Sequence, residues 1–192
     1  MLNIIIFGAP GSGKGTQSER ITEKYNLLHI STGDMLRAEI AAKTELGELA
    51  HSYISKGQLL PDQVIIDMLA KKLTNTATGH KGVIFDGFPR TVAQAEALDV
   101  LLKKNNQDVS VMLELDVEKE ELITRLLKRG QETGRLDDNL EVIQNRLEVY
   151  HNQTTPVMDY YKEAGKYTHI KGTGTIDEIF GRIATTLDKV AN

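Results

Sequence analysis

The stretch Gly8-Ala9-Pro10-Gly11-Ser12-Gly13-Lys14-Gly15-Thr16 decides the fold of this chain. It follows the apolar run Leu2 to Phe7 and opens a helical pattern that ends at Tyr25. Glycines at a strand-to-helix turn let backbone N–H groups surround an anion, the helix N-terminus adds its dipole, and the lysine adds a charge for the β and γ phosphates. The sequence therefore predicts a phosphate-binding loop between the first strand and the first helix.

Short apolar runs alternate with helical patterns along the rest of the chain. The runs typical of strands are Leu2 to Phe7, Leu27 to Ile30, Val83 to Phe85, Val109 to Leu115 and Tyr167 to Ile170. The helical patterns are Thr16 to Tyr25, Asp62 to Leu73, Thr91 to Lys104, Lys119 to Lys128, Leu140 to Gln153 and Ile176 to Val190. This alternation predicts an α/β fold in which a five-stranded parallel sheet carries helices on both faces.

Two segments interrupt the alternation and are candidates for small mobile lids. In residues 31–60, short helical patterns are broken by Gly33, Gly47 and Gly57. Residues 130–139 form a short polar stretch that begins with glycine. We expect both segments to be inserted in a single domain that spans residues 1–192.

Composition limits the function classes. The formal net charge of -4 gives no general attraction for nucleic acid or an anionic membrane, so we expect neither as a partner. The chain has no cysteine, which excludes disulfides and thiolate zinc sites, and its five histidines show no metal-ligand spacing, so no zinc is expected. The N-terminal apolar run is too short for an export signal or a membrane span, which leaves the cytoplasm as the expected location.

The residues after Lys14 narrow the class of phosphate-binding protein. The general pattern has Ser or Thr directly after the lysine, whereas Gly15 intervenes here and Thr16 follows. The order Gly-x-Pro-Gly-x-Gly-Lys-Gly-Thr resembles the signature of the nucleoside monophosphate kinases. Further along, Asp86 ends a buried strand and faces the crevice where open α/β sheets bind ligands. This carboxylate can organise Mg²⁺ through its waters or cap a helix.

Two further motifs make the resemblance specific to the adenylate kinase family, over essentially the whole chain. They are Gly87-Phe88-Pro89-Arg90 with Gln94 beyond it, and Ser31-Thr32-Gly33-Asp34-Met35-Leu36-Arg37. The resemblance implies a single three-layer P-loop kinase domain with 31–60 as the segment that binds the monophosphate and 130–139 as a short lid. It also implies a monomer that transfers the terminal phosphate of Mg-ATP reversibly to AMP and gives two ADP.

The resemblance also assigns roles to single residues. It places ATP on Gly11, Ser12, Gly13, Lys14, Gly15, Thr16, Arg125, Arg129 and Gly174. It places AMP on Thr32, Arg37, Gln58, Leu59, Leu60, Gly87, Arg90, Gln94, Arg135 and Arg146. Around the transferring phosphate it implies a catalytic ring of Lys14, Arg90, Arg129, Arg135 and Arg146, with Mg²⁺ held by Asp86 through water. Asp137 and Asp138 engage the arginines when the lid closes, or cap the next helix.

Structural roles stay open for several of these residues. Arg125 and Arg129 lie four apart on one predicted helix, a spacing that is also typical of a solvated basic stripe. Arg146 lies beside the apolar residues Val142 and Ile143, so its charge needs an anionic partner. The glycines around Gly174 are equally typical of a plain turn.

Three other functions are alternatives to phosphate transfer to AMP. A UMP/CMP kinase of the same fold is the alternative, and Thr32 argues against it because the related pyrimidine kinases usually carry alanine there. A GTP-binding switch protein would need Asn-Lys-x-Asp and Asp-x-x-Gly, and neither occurs. A kinase acting on a hydroxyl would need a base where Arg37 and Arg90 stand. Because a phosphate acceptor is already anionic, we expect direct in-line transfer without a base or a phosphoenzyme.

Overall fold

The computed structural model describes residues 1–74 and 79–191. Its centre is a parallel sheet of five strands: β1 (Leu2–Phe7), β2 (Leu28–Ser31), β3 (Gly82–Asp86), β4 (Val111–Asp116) and β5 (Tyr167–Lys171). Their order in the sheet is β2-β3-β1-β4-β5. The predicted α/β fold with a parallel sheet is therefore confirmed.

Helices cover both faces of this sheet. They are α1 (Lys14–Tyr25), α2 (Thr32–Ala42), α3 (Glu45–Ile54), α4 (Asp62–Thr74), α5 (Val92–Lys103), α6 (Lys119–Thr133), α7 (Leu140–Val149), α8 (Pro156–Glu163) and α9 (Ile176–Val190). Side-chain caps mark several starts: Thr91 accepts from the N–H of Gln94, and Asn139 accepts from that of Val142. Between α7 and α8 the chain makes a π-helical turn, Tyr150–Thr154.

The sheet separates two hydrophobic clusters, because successive side chains of a strand point to opposite faces. Ile5 and Phe7 belong to the cluster that packs against α2, α3, α4, α5 and α8. Ile4 and Ile6 belong to the cluster that packs against α1 and α9, where Ile183 is fully buried. The result is the three-layer arrangement that the resemblance implied.

Three parallel strands bring their carboxyl ends to one edge of the sheet. In the register, Asp86 pairs with Ile6 of β1 on one side and with Ser31 of β2 on the other. Consequently the phosphate loop after β1, the carboxylate at the end of β3 and the start of α2 all lie at the same edge. This edge is where the candidate site forms.

Some predicted boundaries were wrong. Gly33 and Gly47 do not break helices but lie inside α2 and α3, and a Cβ at Gly47 would come 2.1 Å from the carbonyl oxygen of Glu39. Gly47 therefore allows α3 to approach α2 closely. Helix α6 continues to Thr133 rather than ending at Lys128, so the first residues of 130–139 are helical.

Two further features of the described ranges bear on function. No helix within them is both long and apolar enough to cross a bilayer. They also contain no group of three or more His, Cys, Asp or Glu side chains placed to hold a metal ion. A metal at this site would accordingly need ligands besides protein side chains.

Candidate active site

The phosphate loop joins β1 to α1 and folds around its own lysine. Gly11 and Gly13 have positive φ angles of 86° and 93°, a conformation that residues with a Cβ rarely adopt. The Nζ of Lys14 donates to the carbonyl oxygens of Gly8 at 2.8 Å and Ala9 at 3.0 Å. Since Gly13 has no side chain to cap α1, the first N–H groups of this helix can turn to an anion.

Burial changes the acid–base behaviour of Lys14. It lowers the pKa of this amine from its ordinary value of 10.5 to about 8. The Asp86 carboxylate opposes the change, whereas the positive charges of Arg90 and Arg146 add to it. An anion between these cations would restore the pKa of Lys14 toward its ordinary value.

An apolar cavity opens between α2, α3, α5 and the phosphate loop. Aliphatic and aromatic side chains form much of its wall, among them Leu36, Ile54, Phe88 and Tyr150. The predicted residues that line it are Lys14, Thr32, Arg37, Gln58, Leu59, Leu60, Gly87, Arg90, Gln94 and Arg146. A flat apolar ring with one polar edge and an attached anion fits this combination of side chains.

The carbonyl group of Gly87 organises two polar side chains of this apolar cavity. It accepts from Thr32 Oγ1 at 2.8 Å and from Arg90 Nε at 2.8 Å. Gly87 has a φ of 73°, and a Cβ there would lie 2.9 Å from Thr32 Oγ1 and 3.0 Å from Arg90 Nη2. Only glycine therefore fits at this point without moving the two side chains.

A second, more polar cavity, the phosphate cavity, lies above the phosphate loop. The site residues predicted from the sequence that line it are Gly11, Gly13, Lys14, Gly15, Thr16, Arg37, Asp86, Gly87, Arg90, Arg125, Arg129, Arg135 and Arg146. Ser12 is a buried residue of the loop itself and lines neither cavity, and Gly174 also lies outside both. These two are the predicted residues that the described cavities do not bring together with the rest.

The two cavities meet at four cationic side chains. Lys14, Arg37, Arg90 and Arg146 line both of them. Burial, together with the charges of Arg146 and Arg37, lowers the pKa of Arg90 from 12.5 to about 10 against the opposing effect of Asp86. A phosphate group at this meeting point is therefore electrostatically favoured, and a ligand in either cavity can reach it.

Carboxylates of the 130–139 segment already engage two of the predicted arginines. Asp138 accepts from Arg129 Nε at 2.6 Å and Nη2 at 2.8 Å, and from Arg146 Nη1 at 2.9 Å. Arg146 Nη1 also lies 3.0 Å from Asp137 Oδ2. Burial acts to raise the pKa of Asp138, but the hydrogen bond and charge of Arg129 and the charge of Arg146 outweigh it and hold that pKa below 3.8.

The other predicted arginines differ in their partners. Arg37 Nη2 lies 2.5 Å from Asp34 Oδ1, and Arg125 donates to Glu121 at 3.0 and 2.6 Å. Arg125 also donates to the carbonyl oxygen of Gly172 at 3.3 Å, which connects it to the loop that contains Gly174. Within the described ranges Arg135 forms no ion pair, so its charge is available to a ligand.

Asp86 ends β3 and lines the phosphate cavity. The donor set fits magnesium, because Mg²⁺ keeps several waters and is commonly bound through one or two carboxylates together with substrate phosphates. His29 of β2 approaches this carboxylate, with Nε2 3.6 Å from Asp86 Oδ2.

Sequence reasoning missed His29 and also Asp62, which accepts a hydrogen bond from Gln94 Nε2 at 2.8 Å. A signal for His29 exists in hindsight, since it and Asp86 lie near the ends of predicted strands. For Asp62 no local signal exists.

Comparison with known proteins gives a consistent result. The description "Adenylate kinase" belongs to the family model that matches residues 6–166. The adenylate kinase of Phocaeicola vulgatus is 64% identical over 190 residues, which cover 99% of this chain and 100% of that protein. The adenylate kinase of Bacteroides thetaiotaomicron is 60% identical over 190 residues, with the same coverage, and that of Porphyromonas gingivalis is 52% identical over 189 residues, 98% of this chain and 97% of that protein. The chain belongs to the adenylate kinase family.

Proposed function

We propose that this phosphotransferase binds Mg-ATP in the phosphate cavity and AMP in the apolar cavity. It transfers the terminal phosphate of ATP to AMP, and the reaction, which gives two ADP, is reversible. The family assignment supports the activity and does not favour the UMP/CMP alternative. The placement of the two nucleotides in these cavities rests on one observation: the cavities meet at Lys14, Arg37, Arg90 and Arg146. A donor phosphate and an acceptor phosphate held from opposite sides would face each other there.

On the donor side, the proposal gives the triphosphate to the phosphate loop. The N–H groups at the start of α1 and the Lys14 amine supply the positive field, and Arg125 extends it toward the loop around Gly174. Asp86 would hold the metal through water, as a hard carboxylate beside phosphate oxygens. Magnesium, when bound, neutralises charge on the phosphates and helps to orient them.

On the acceptor side, the proposal gives the adenine ring to the apolar wall and its polar edge to Thr32 and Gln94. Both side chains are almost fully buried, at 3% and 2% exposed, so hydrogen bonds to a base there are shielded from water. Arg37 and Arg90 would hold the phosphate, since a planar guanidinium binds two phosphate oxygens at once.

Charge neutralisation and positioning account for the proposed chemistry. The attacking oxygen of AMP belongs to a phosphate that is already anionic, so no base has to remove a proton. Arg129, Arg135 and Arg146 would stabilise the charge on the transferring group from the side of the lid. Residues 31–60 and 130–139 would close over both nucleotides and exclude water as a competing acceptor.

The decisive experiment mixes the purified protein with Mg-ATP and, separately, AMP, UMP, CMP or GMP, and follows diphosphate formation by phosphorus NMR. We expect rapid transfer with AMP alone and loss of transfer after magnesium is chelated. Preference for UMP or CMP would overturn the choice of base, and ATP hydrolysis without transfer would overturn the kinase mechanism.

Two parts of the proposal need measurements of their own. A bisubstrate analogue should slow hydrogen exchange in 31–60 and 130–139, and unchanged exchange would contradict the role of these segments as lids. The family resemblance also implies a cytoplasmic monomer. Light scattering after size-exclusion chromatography tests the oligomeric state.

A further inference from the structure

The side-chain amide of Gln94 is held at both of its ends. Its Oε1 accepts from the backbone N–H of Arg90 at 2.8 Å, and its Nε2 donates to Asp62 Oδ1 at 2.8 Å. The same Asp62 oxygen accepts from Thr91 Oγ1 at 2.9 Å. Because Gln94 is only 2% exposed, water competes little for these contacts.

These two partners permit one orientation of the amide. A carboxylate can only accept a hydrogen bond and a backbone N–H can only donate one. A half-turn of the Gln94 amide would place Oε1 against Asp62 and the NH₂ group against the Arg90 N–H. Two hydrogen bonds would then become two repulsive contacts, which is costly in a buried site.

The fixed amide keeps hydrogen-bonding capacity for a ligand. A primary amide offers two N–H donors and two acceptor lone pairs, and the contacts with Asp62 and Arg90 use one of each. Gln94 lines the apolar cavity, whereas Asp62 lies outside its described lining. Asp62 can thus influence a ligand only through another side chain.

We propose that Asp62 is a positioning residue that makes the acceptor site select 6-aminopurines over 6-oxopurines. This inference rests on the proposed function, in which the edge of the base meets Gln94. Adenine presents an N6 donor beside the N1 acceptor, whereas hypoxanthine and guanine present the O6 acceptor beside an N1–H donor. In the proposal, the observed amide orientation suits the adenine pattern, and the reverse orientation suits the pattern of hypoxanthine and guanine.

The test replaces Asp62 by asparagine and compares kcat/KM for AMP and for inosine monophosphate. An asparagine side chain can turn either its oxygen or its NH₂ group toward Gln94, so the reversed amide would meet one repulsive contact, with the Arg90 N–H, instead of two. We expect the AMP-to-inosine-monophosphate ratio of kcat/KM to fall by about tenfold or more. The matched control is Asp67→Asn on the same helix, where the exposed Asp67 accepts from Gln63 and the ratio should not change.

A purely structural role must be separated from the proposed one, because Asp62 also lies in the first turn of α4. In a Gln94→Ala background, Asp62→Asn should leave the ratio unchanged if Asp62 acts through Gln94. Should Asp62→Asn fold poorly, Asp62→Ser keeps a good residue for a helix start and a hydroxyl that can donate or accept. A lower melting temperature with an unchanged ratio would overturn the inference, whereas a wild-type protein inactive on AMP would overturn the proposed function instead.

Discussion

Asp138 neutralises Arg129 through two parallel hydrogen bonds of 2.6 and 2.8 Å. The same carboxylate accepts from Arg146 at 2.9 Å, and its side chain is fully buried. Two of the arginines proposed to act on the transferring phosphate are therefore already compensated within the protein.

Asp138→Asn should destabilise the fold, because it leaves the half-buried Arg129 and Arg146 without their shared charge partner. We expect the free energy of unfolding to drop by about 2 kcal/mol. For a chain of this size, that corresponds to a fall of about 5 °C in Tm. Thermal unfolding followed by circular dichroism measures it. The control Glu132→Gln breaks an exposed pair with Lys128 and should change stability by less than about 0.5 kcal/mol.

Acid should erase the difference between Asp138→Asn and the wild type. The pKa of Asp138 is held below 3.8 in the folded protein, so its contribution to stability is present above about pH 4 and is lost as the pH falls through the folded value. We expect the gap in Tm between the two proteins to be full at pH 7 and to shrink below pH 4. A gap that stays constant down to pH 2 would contradict this account.

The lowered pKa of Lys14 predicts a basic limit on ATP capture. Above about pH 8 the amine of the free enzyme loses its proton, so kcat/KM for Mg-ATP should fall about tenfold per pH unit. Lys14→Arg should have lower activity but should lack the fall that begins near pH 8, because the guanidinium at this position stays charged there. Initial rates from pH 6.5 to 10 provide the measurement. A flat wild-type profile to pH 10 would show that Lys14 keeps its proton.

Thr32→Ala should blur the choice of base. Thr32 gives its proton to the carbonyl of Gly87, which leaves its oxygen as an acceptor for an amino group in the apolar cavity. We expect kcat/KM for AMP to fall about tenfold relative to that for UMP. Thr32→Ser keeps the hydroxyl and should retain most of the preference. Equal ratios in the wild type and Thr32→Ala would remove Thr32 from base recognition.

Two helix glycines should respond oppositely to alanine. A Cβ at Gly130 would lie 2.6 Å from the carbonyl oxygen of Asp138, so Gly130→Ala must shift the backbone that carries this carboxylate and should cost about 2 kcal/mol. Gly181 has no described atom within 4 Å of such a Cβ, and Gly181→Ala should stabilise α9 by about 0.5 to 1 kcal/mol. Denaturant unfolding compares the two. Loss of stability in both would refute the steric explanation.

The strands and the phosphate loop could be predicted because their patterns are local. Each strand is a short apolar run, and β1 and β3 are buried along nearly their whole length, which is typical of central strands of a parallel sheet. The main error in the sheet is small: β4 begins at Val111 rather than Val109. The family and its phosphotransferase activity, which depend on the loop and on the motifs around Thr32 and Arg90, are likewise confirmed.

Packing explains what the sequence could not predict. Glycine usually interrupts a helix, but at Gly47 the close approach of Glu39 requires it, and this contact exists only after α2 and α3 pack together. The hydrogen bond between Asp62 and Gln94 spans 32 residues and depends on the docking of α4 beside α5. The roles of the individual site residues stay predictions, although the cavities bring most of them together.

The internal pairing of Asp138 has a consequence for the ionic surroundings. Salt screens the attraction between a solvent-exposed arginine and an anion, so phosphate affinity at such a residue falls as the salt concentration rises. At Arg129 and Arg146 the counterion is the Asp138 carboxylate of the same chain, and its side chain is fully buried. We therefore expect the charge state and the pairing of these two arginines to change little with the salt concentration.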